Sequence, residues 1–318
     1  RCSADANQES RSSCPRMPFC LIPAISTVID LKPKLGEGPI WDVRTGRLWW
    51  IDSQDGRVFS NDADGGGLRV WDVREKVGSM ALTEDDDEII VALQSGLYSY
   101  NLVSDARELI AAPEPGLPSN RLNDGKVDAA GRFVFGSMDT MEEKAGGRLY
   151  SLSVDRELTV LDEGIICSNG PCWSPDGGTF YFADTWTGDI WAYDYDLATG
   201  EVSNRRVFVT VDTSDGGACD GMTVDAEGFV WQAHVYGGKV NRYDPDGTLE
   251  RQIEMPVRKV TCPVFGGDDL DRLYVTTMAR PPLPRFPEDG ARRGALLVID
   301  GLGVRGYETP RFGAAAQG

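Results

Sequence analysis

Short apolar runs separated by Asp/Gly turns recur along the chain and predict a protein built from many strands. Four segments share one pattern: a polar start, a short apolar run, a turn rich in Asp and Gly, and a second run rich in aromatic and β-branched residues. They span residues 37–52, 123–137, 169–184 and 219–234, and looser copies span 78–93 and 261–277. Helical periodicity is nearly absent, so the pattern is typical of strands.

Each copy is followed by a further pair of strand-like runs, such as "GRVFSND" and "GDIWAYDYD". A unit therefore contains about four strands and recurs every roughly 40–50 residues, which is the size of a propeller blade. A pair of β-sandwiches is the alternative, but it does not explain the shared pattern. We predict an all-β fold, a six-bladed β-propeller with a central metal-binding channel, whose alternating aromatic residues pack between blades.

Oxygen-bearing side chains stand at the start of the first strand in several copies. Aligned on the first glycine of each copy, they are Glu37, Asn123 with Asp124, Asn169 and Asp220. Any one of them alone could simply cap backbone amides at a strand end. Because the innermost strand of every blade lines the channel, a closed propeller would bring them together. Two carboxylates and a carboxamide predict a hard-cation site, with Ca²⁺ as the natural occupant and Mg²⁺, Mn²⁺ or Zn²⁺ as substitutes.

Composition argues against nucleic-acid and membrane partners and indicates a cytoplasmic location. The formal net charge of −18 argues against a basic surface for nucleic acid or anionic lipid. No apolar run is long enough to cross a bilayer, so no membrane partner is expected. Seven cysteines, an odd number without a disulfide framework, are typical of reduced thiols in a cytoplasmic protein.

Two segments stand outside the repeat. We interpret the polar residues 1–16 as a tag remnant or a disordered extension, and we expect residues 17–318 to form a single six-bladed propeller domain. The Pro/Arg-rich insertion at 278–294 is either a solvated surface loop or a wall of the channel mouth.

Several common catalytic motifs are absent from the sequence. There is no G-x-S-x-G nucleophile elbow, no Walker loop and no dinucleotide-binding glycine motif after a strand. His234 is the only histidine, which excludes a multi-histidine zinc site. A lone histidine of this kind is more often structural or channel-lining than a general base. An enzyme with these residues has to rely on a metal and carboxylates.

Four motifs occur in the order found in a known family: "LGEGPIWD", "RLNDGKVDAAGRFVFGSM", "SNGPCWSPDG" and "CDGMTVDAEGFVW". With them, the chain resembles the gluconolactonase family, which includes regucalcin (senescence marker protein 30) and the bacterial sugar lactonases. The resemblance implies one divalent metal held by Glu37, Asn169 and Asp220 in the channel of a six-bladed propeller. It also implies that Arg121 binds substrate, that Asn123 contacts substrate or the metal region, and that Asp220 is the general base.

The activity implied by the resemblance is the metal-dependent hydrolysis of a sugar lactone, a small molecule, to its aldonic acid. A metal polarises a lactone carbonyl and lowers the pKa of bound water, and a carboxylate such as Asp220 can take the proton. Two alternatives stay open. One is another hydrolase on the same fold, acting on phosphotriesters or on aryl or alkyl lactones. The other is a non-catalytic Ca²⁺-binding propeller.

The run 121–128, "RLNDGKVD", divides into two groups. We expect Arg121 and Asn123 to point into the channel. Lys126 and Asp128 correspond to varied residues in the other copies, so they belong to the blade and its turn. Asp124 either supports the site or caps backbone amides.

Overall fold

The computed structural model describes residues 23–281 and 289–314. All regular elements in these ranges are β-strands, arranged as six four-stranded antiparallel sheets. The first strands of neighbouring sheets contact each other in a closed ring around the channel, which confirms the predicted six-bladed β-propeller. Over the same ranges, no helix is long and apolar enough to cross a membrane. The predicted extension at 1–16 lies outside the described residues.

In five blades, the order of strands in the sheet equals their order in the chain, from the channel outwards. The first strand of the chain, β1 (Ala24–Ile29), precedes them. Blade 1 contains β2 (Gly36–Asp42), β3 (Arg47–Asp52), β4 (Arg57–Asp62) and β5 (Arg69–Asp72). Blade 2 contains β6 (Val77–Leu82), β7 (Glu88–Leu93), β8 (Gly96–Asn101) and β9 (Arg107–Ala111). Blade 3 contains β10 (Asn120–Val127), β11 (Phe133–Asp139), β12 (Gly147–Leu152) and β13 (Leu158–Ile165).

The remaining blades repeat this arrangement. Blade 4 contains β14 (Ser168–Trp173), β15 (Thr179–Asp184), β16 (Asp189–Asp196) and β17 (Glu201–Thr210). Blade 5 contains β18 (Ala218–Val224), β19 (Val230–Val235), β20 (Lys239–Tyr243) and β21 (Leu249–Glu254). Blade 6 contains β22 (Val260–Gly266), β23 (Arg272–Thr277) and β24 (Leu296–Asp300), followed by β1 as its outermost strand.

The ring is closed by pairing the two ends of the propeller sequence. Strand β1 pairs antiparallel with β24, with Ile25 opposite Ile299 and Ser26 opposite Val298. Because the last blade takes its outer strand from the start of the chain, opening the ring would require breaking this ladder. The sequence analysis predicts six units but not this pairing, since β1 lies outside the repeated pattern.

Each innermost strand shifts register against its neighbour at the same place. In blades 1, 3, 4 and 5 the shift falls between residues 37 and 40, 122 and 125, 169 and 172, and 219 and 222. Shifts of this kind let a strand turn a side chain out of the regular pleat. In blade 4 the shift contains Gly170 with φ of 64°, where a Cβ would lie 2.7 Å from the Met222 side chain. Glycine is therefore required there.

Aromatic residues fill the space between blades, as predicted. Trp173, Phe180 and Phe182 of blade 4 are buried in one cluster with Val134 and Leu149 of blade 3. Each fully buried side chain of this size contributes roughly 1.5–3 kcal/mol to folding. The four cysteines in the described residues, Cys167, Cys172, Cys219 and Cys262, are all free and buried.

After the last strand, residues 301–314 cross the end of the channel at which the innermost strands finish. We call this segment the C-terminal strap. Hydrogen bonds join it to five different blades, for example Ala226 N to Arg305 O (2.8 Å), Gly306 N to Leu270 O (2.8 Å), Tyr307 Oη to Trp173 O (2.6 Å), Phe312 N to Leu82 O (2.8 Å) and Gly313 N to Gly131 O (3.0 Å). Arg311 adds an ion pair with Asp42 of blade 1 at 2.6 Å. The strap thus closes one end of the channel and ties the blades together.

Candidate metal centre and active site

The opposite end of the channel, where the innermost strands begin, holds a cavity of about 40 Å³. Its wall contains all five residues predicted for the site: Glu37, Arg121, Asn123, Asn169 and Asp220. They come from blades 1, 3, 4 and 5, and each is buried, with between 5% and 9% of its surface exposed. The ring therefore brings together side chains that are up to 183 residues apart in the sequence (220 − 37).

A chain of hydrogen bonds links blade 3 to blade 4 across the cavity. Arg121 Nη1 donates to Asn123 Oδ1 at 2.6 Å. Asn123 Nδ2 in turn donates to Ser168 O at 2.7 Å and to Asn169 Oδ1 at 3.3 Å. Asn169 Nδ2 donates to Thr185 Oγ1 at 2.7 Å. Because both carboxamide nitrogens are engaged as donors, the orientation of each carboxamide is set and Asn169 Oδ1 faces the side of Asn123.

The two acidic residues are held in an environment that disfavours their charge. Burial, and then the nearby Asp124 carboxylate, raise the pKa of Glu37 well above its usual range, while Arg121 lowers it. Burial, followed by Glu37 and Asp124, raises the pKa of Asp220 in the same way. Buried carboxylates that repel one another are stabilised as anions by a cation between them. The cavity is thus electrostatically suited to a metal ion.

Asp124 supports the site from the neighbouring blade. Its Oδ2 accepts a hydrogen bond from Gly170 N at 2.8 Å, and its Oδ1 accepts one from Gly125 N at 2.8 Å. The first bond holds the backbone immediately after Asn169, inside the register shift of β14. The structure therefore confirms that Asp124 caps backbone amides, and one of these amides follows the cavity residue Asn169. Its support of the site stays a prediction.

Glu142 is a cavity residue that the repeated pattern does not single out, and it lies in the segment after Met138, where we expected no clear counterpart of the family's acidic substrate-binding residue. It lies in the loop after β11, with φ of 57°, and its Oε2 accepts a hydrogen bond from Trp186 Nε1 at 3.0 Å. It also raises the pKa of Asp220, although less than burial and the Glu37 and Asp124 carboxylates do. Since the loop is outside the repeated frame, no alignment of the copies could have identified it.

Of the two residues that we assigned to the blade and its turn, Asp128 lies where we expected, whereas the Lys126 side chain reaches from blade 3 to blade 5 across the channel. Asp128 accepts hydrogen bonds from Arg132 Nε at 2.8 Å and from Tyr195 Oη at 2.7 Å, so it joins the turn of blade 3 to blade 4. Lys126 Nζ donates to Met222 O at 3.0 Å and is absent from the wall of this cavity.

His234 is also absent from the wall of the cavity. Its Nε2 lies 2.9 Å from Asp215 Oδ1, and its Nδ1 is buried with no hydrogen-bond partner in the described part of the chain. Its place on β19, opposite Cys219, makes it part of the blade rather than a group that faces substrate. In the insertion 278–294, Met278 lines the cavity, whereas residues 282–288 lie outside the described residues.

The donor atoms fit a hard divalent cation. Within residues 23–281 and 289–314, no three His, Cys, Asp or Glu side chains are grouped as metal ligands. The set predicted from the sequence instead combines the carboxylates of Glu37 and Asp220 with the carboxamide oxygen of Asn169. All three supply oxygen, which Ca²⁺ and Mg²⁺ prefer over nitrogen or sulfur. The assignment of these residues as ligands remains a prediction.

Comparison with known proteins agrees with the motifs. Residues 35–279 match the model of the SMP-30/gluconolactonase/LRE-like region. The chain is 38% identical to an L-arabinolactonase of Azospirillum brasilense over 251 residues, covering 78% of this chain and 82% of the relative. It is 36% identical to pentonolactonase XacC of Haloferax volcanii over 256 residues, covering 80% of this chain and 84% of the relative.

A solved structure extends this similarity to the fold. The calcium-binding protein regucalcin of Agrobacterium tumefaciens superposes with a TM-score of 0.82 at 30% identity, covering 90% of this chain and 96% of that one. Residues 35–279, the segment that matches the family model, contain every residue assigned above to the cavity. This chain belongs to the SMP-30/gluconolactonase/LRE-like family.

Proposed function

We propose that this protein is a metal-dependent lactonase that hydrolyses a sugar lactone to the corresponding aldonic acid. The observation that carries the proposal is the convergence of Glu37, Asn169 and Asp220 beside Arg121 and Asn123 in one buried cavity. Relatives named as an L-arabinolactonase and a pentonolactonase support a lactone substrate, and both names point to a five-carbon sugar.

The cofactor we propose is one divalent metal ion, held by Glu37, Asn169 and Asp220. Ca²⁺ is favoured by the all-oxygen donor set and by the calcium-binding regucalcin among the related structures. Mg²⁺, Mn²⁺ and Zn²⁺ are substitutes for the same site. When bound, such an ion polarises a carbonyl and makes water a better nucleophile at neutral pH.

Asp220 is the residue that we propose takes the proton from the attacking water. Its burial and the neighbouring carboxylates raise its pKa, which makes the carboxylate a stronger base than an exposed aspartate. Metal ligation acts in the opposite direction, and the surrounding protein therefore offsets part of the basicity that ligation removes. No histidine in the described residues lines the cavity to replace it.

Arg121 and Asn123 are proposed to hold the substrate. One guanidinium nitrogen of Arg121 bonds to Asn123, so the planar group is fixed and its other N–H groups can meet a ring or hydroxyl oxygen. Asn123 Oδ1 has a second lone pair for a substrate hydroxyl. Glu142, on the wall of the same cavity, adds a carboxylate that accepts hydrogen bonds from sugar hydroxyls.

The test is hydrolysis of pentono- and hexono-lactones, followed by acid release, with native protein and with protein treated with EDTA. We expect turnover that EDTA abolishes and Ca²⁺ restores. Unchanged activity in both the metal-free protein and Asp220→Ala would sink the proposal. Tight Ca²⁺ binding without turnover on the whole panel would instead support the non-catalytic alternative.

A second candidate is a hydrolase for more apolar esters on the same site. Leu35, Met138, Val235 and Met278 give the cavity an apolar side, which could hold an aryl or alkyl lactone. The same panel decides between the two, since a higher kcat/KM for aryl lactones than for pentonolactones favours the second candidate.

The state of the cysteines supports the predicted cytoplasmic location. Cys167, Cys172, Cys219 and Cys262 are free thiols buried inside the propeller. Secreted proteins generally pair such residues, whereas reducing compartments keep them free. We therefore propose that the protein works in the cytoplasm.

A further inference from the structure

A second cavity, of about 110 Å³, lies at the other end of the same channel. Its walls come from the last residues of β10, β14, β18 and β22 and from strap residues 307–310. The strap therefore closes this cavity, which we call the far cavity. It shares no wall residue with the cavity that contains Glu37 and Asp220.

Most of the wall of the far cavity is apolar. Val264 and Phe265 of β22, Trp173 of β14 and Val224 of β18 are each less than 9% exposed. Apolar cavities of the order of 100–150 Å³ can take up a benzene-sized molecule. The far cavity can thus hold the body of a small organic molecule.

One polar group in this wall has unused hydrogen-bonding capacity. Lys126 Nζ donates one hydrogen bond, to Met222 O at 3.0 Å, although an ammonium group has three donors. Lys126 can therefore donate to an acceptor in the far cavity.

The nearby carboxylates do not supply that acceptor. Asp124, two residues before Lys126, accepts its two hydrogen bonds from the backbone nitrogens of Gly125 and Gly170. Glu308, on the strap, is exposed to solvent. The Asp124 carboxylate attracts the ammonium electrostatically without a hydrogen bond to it. A ligand with one negative charge can therefore use the remaining N–H groups of Lys126, whereas a dianion such as phosphate would need more donors than Lys126 provides.

We propose that the far cavity is a binding site for a small organic monocarboxylate, whose carboxylate meets Lys126 and whose apolar body packs against Val264 and Phe265. This site is separate from the proposed lactonase site, and its existence does not depend on that function. Because Tyr307 of the strap forms part of its wall, a bound ligand also contacts the segment that closes the channel.

The test compares benzoate with its neutral analogue benzamide by titration calorimetry on the metal-loaded protein. We expect benzoate to bind at least about tenfold more tightly than benzamide, because only benzoate pairs with the ammonium. In Lys126→Met the two compounds should bind equally. Equal binding of the two compounds to native protein, or no binding up to about 10 mM, would overturn the proposal.

A cavity-filling variant separates the far cavity from the metal centre. Val264→Phe should abolish benzoate binding while leaving lactone hydrolysis intact, since Val264 lines the far cavity and not the cavity that contains Asp220. Benzoate that is displaced by sugar lactone and binds equally well to Val264→Phe would be a ligand of the metal centre, and the proposal would be wrong. If Lys126→Met does not fold, the Val264→Phe result and the benzoate–benzamide comparison decide alone.

Discussion

The two ends of the central channel are made by the same innermost strands but present different chemistry. At the strand starts, the cavity wall carries three carboxylates, two carboxamides and a guanidinium, whereas the far cavity is mainly apolar with one ammonium and one solvent-exposed carboxylate. The register shifts lie between the two ends. Residues at or before a shift can differ between blades without disturbing the sheet, while residues after it pair regularly and repeat the blade pattern. The shift therefore separates the part of each strand that carries the predicted metal ligands from the part that repeats the blade pattern.

The largest effect should come from removing the base at the metal end. Asp220→Asn keeps the size of the side chain but removes its charge, so we expect kcat/KM for the sugar lactone to fall by roughly 10³-fold or more. Steady-state kinetics with the best lactone of the panel measures this. The matched control is Glu308→Gln at the strap end, where an exposed carboxylate should matter by about twofold at most. A loss of less than about tenfold in Asp220→Asn would show that another group takes the proton.

Metal removal should distinguish the two ends of the channel, because the proposed metal site lies only at the end where the innermost strands begin. Thermal unfolding with Ca²⁺ and with EDTA should show stabilisation by the ion, about 2.7 kcal/mol when its concentration is 100 times its Kd. Glu37→Gln removes one proposed ligand and should lose most of this calcium-dependent stabilisation together with activity. Glu308→Gln should keep it. A fully active protein after exhaustive EDTA treatment would contradict the metal-dependent mechanism.

A smaller effect is expected from the group that orients Asn169. Thr185→Val has the shape of threonine but no hydroxyl, so Asn169 Nδ2 loses the acceptor at 2.7 Å and the carboxamide can rotate. Groups that orient metal ligands typically change affinity by 10–100-fold, and we expect Ca²⁺ to bind roughly tenfold more weakly. Calorimetric titration with Ca²⁺ measures the change. Thr185→Ser restores the hydroxyl and should restore affinity, whereas a purely structural role of Thr185 would leave the affinity of Thr185→Val unaltered.

Most of the fold and most residues of the metal-end cavity could be predicted because one strand pattern repeats along the sequence. Six copies of one strand pattern indicate six blades, and the residues that differ at equivalent positions, such as Glu37, Asn169 and Asp220, indicate the channel. All five predicted site residues indeed line one cavity. Their roles as ligands, base and substrate contacts remain predictions.

The features that could not be predicted lie outside the repeated strand pattern. Glu142 stands in a loop, and β1 and the strap are single segments without a repeated counterpart. The role of Asp124 depends on a bond to Gly170 in the next blade, so it requires the distance between two blades. The far cavity exists because the strap covers the channel, which no pattern within a blade indicates.

The smallest effect on catalysis should come from the strap itself. Arg311 donates to Asp42 Oδ2 at 2.6 Å, to Thr83 O at 2.6 Å and to Asp86 Oδ1 at 3.2 Å, so Arg311→Ala removes three charge-assisted hydrogen bonds that join the strap to blades 1 and 2. We expect the free energy of unfolding to fall by about 2 kcal/mol, with kcat/KM for the lactone unchanged. Urea unfolding measures the first quantity. Arg305→Ala is the control, because that exposed side chain lies on the same strap and should change stability by no more than about 0.5 kcal/mol. A fall in kcat/KM in Arg311→Ala at a temperature where the protein is fully folded would show that the two ends of the channel are coupled, and the separation drawn between them would fail.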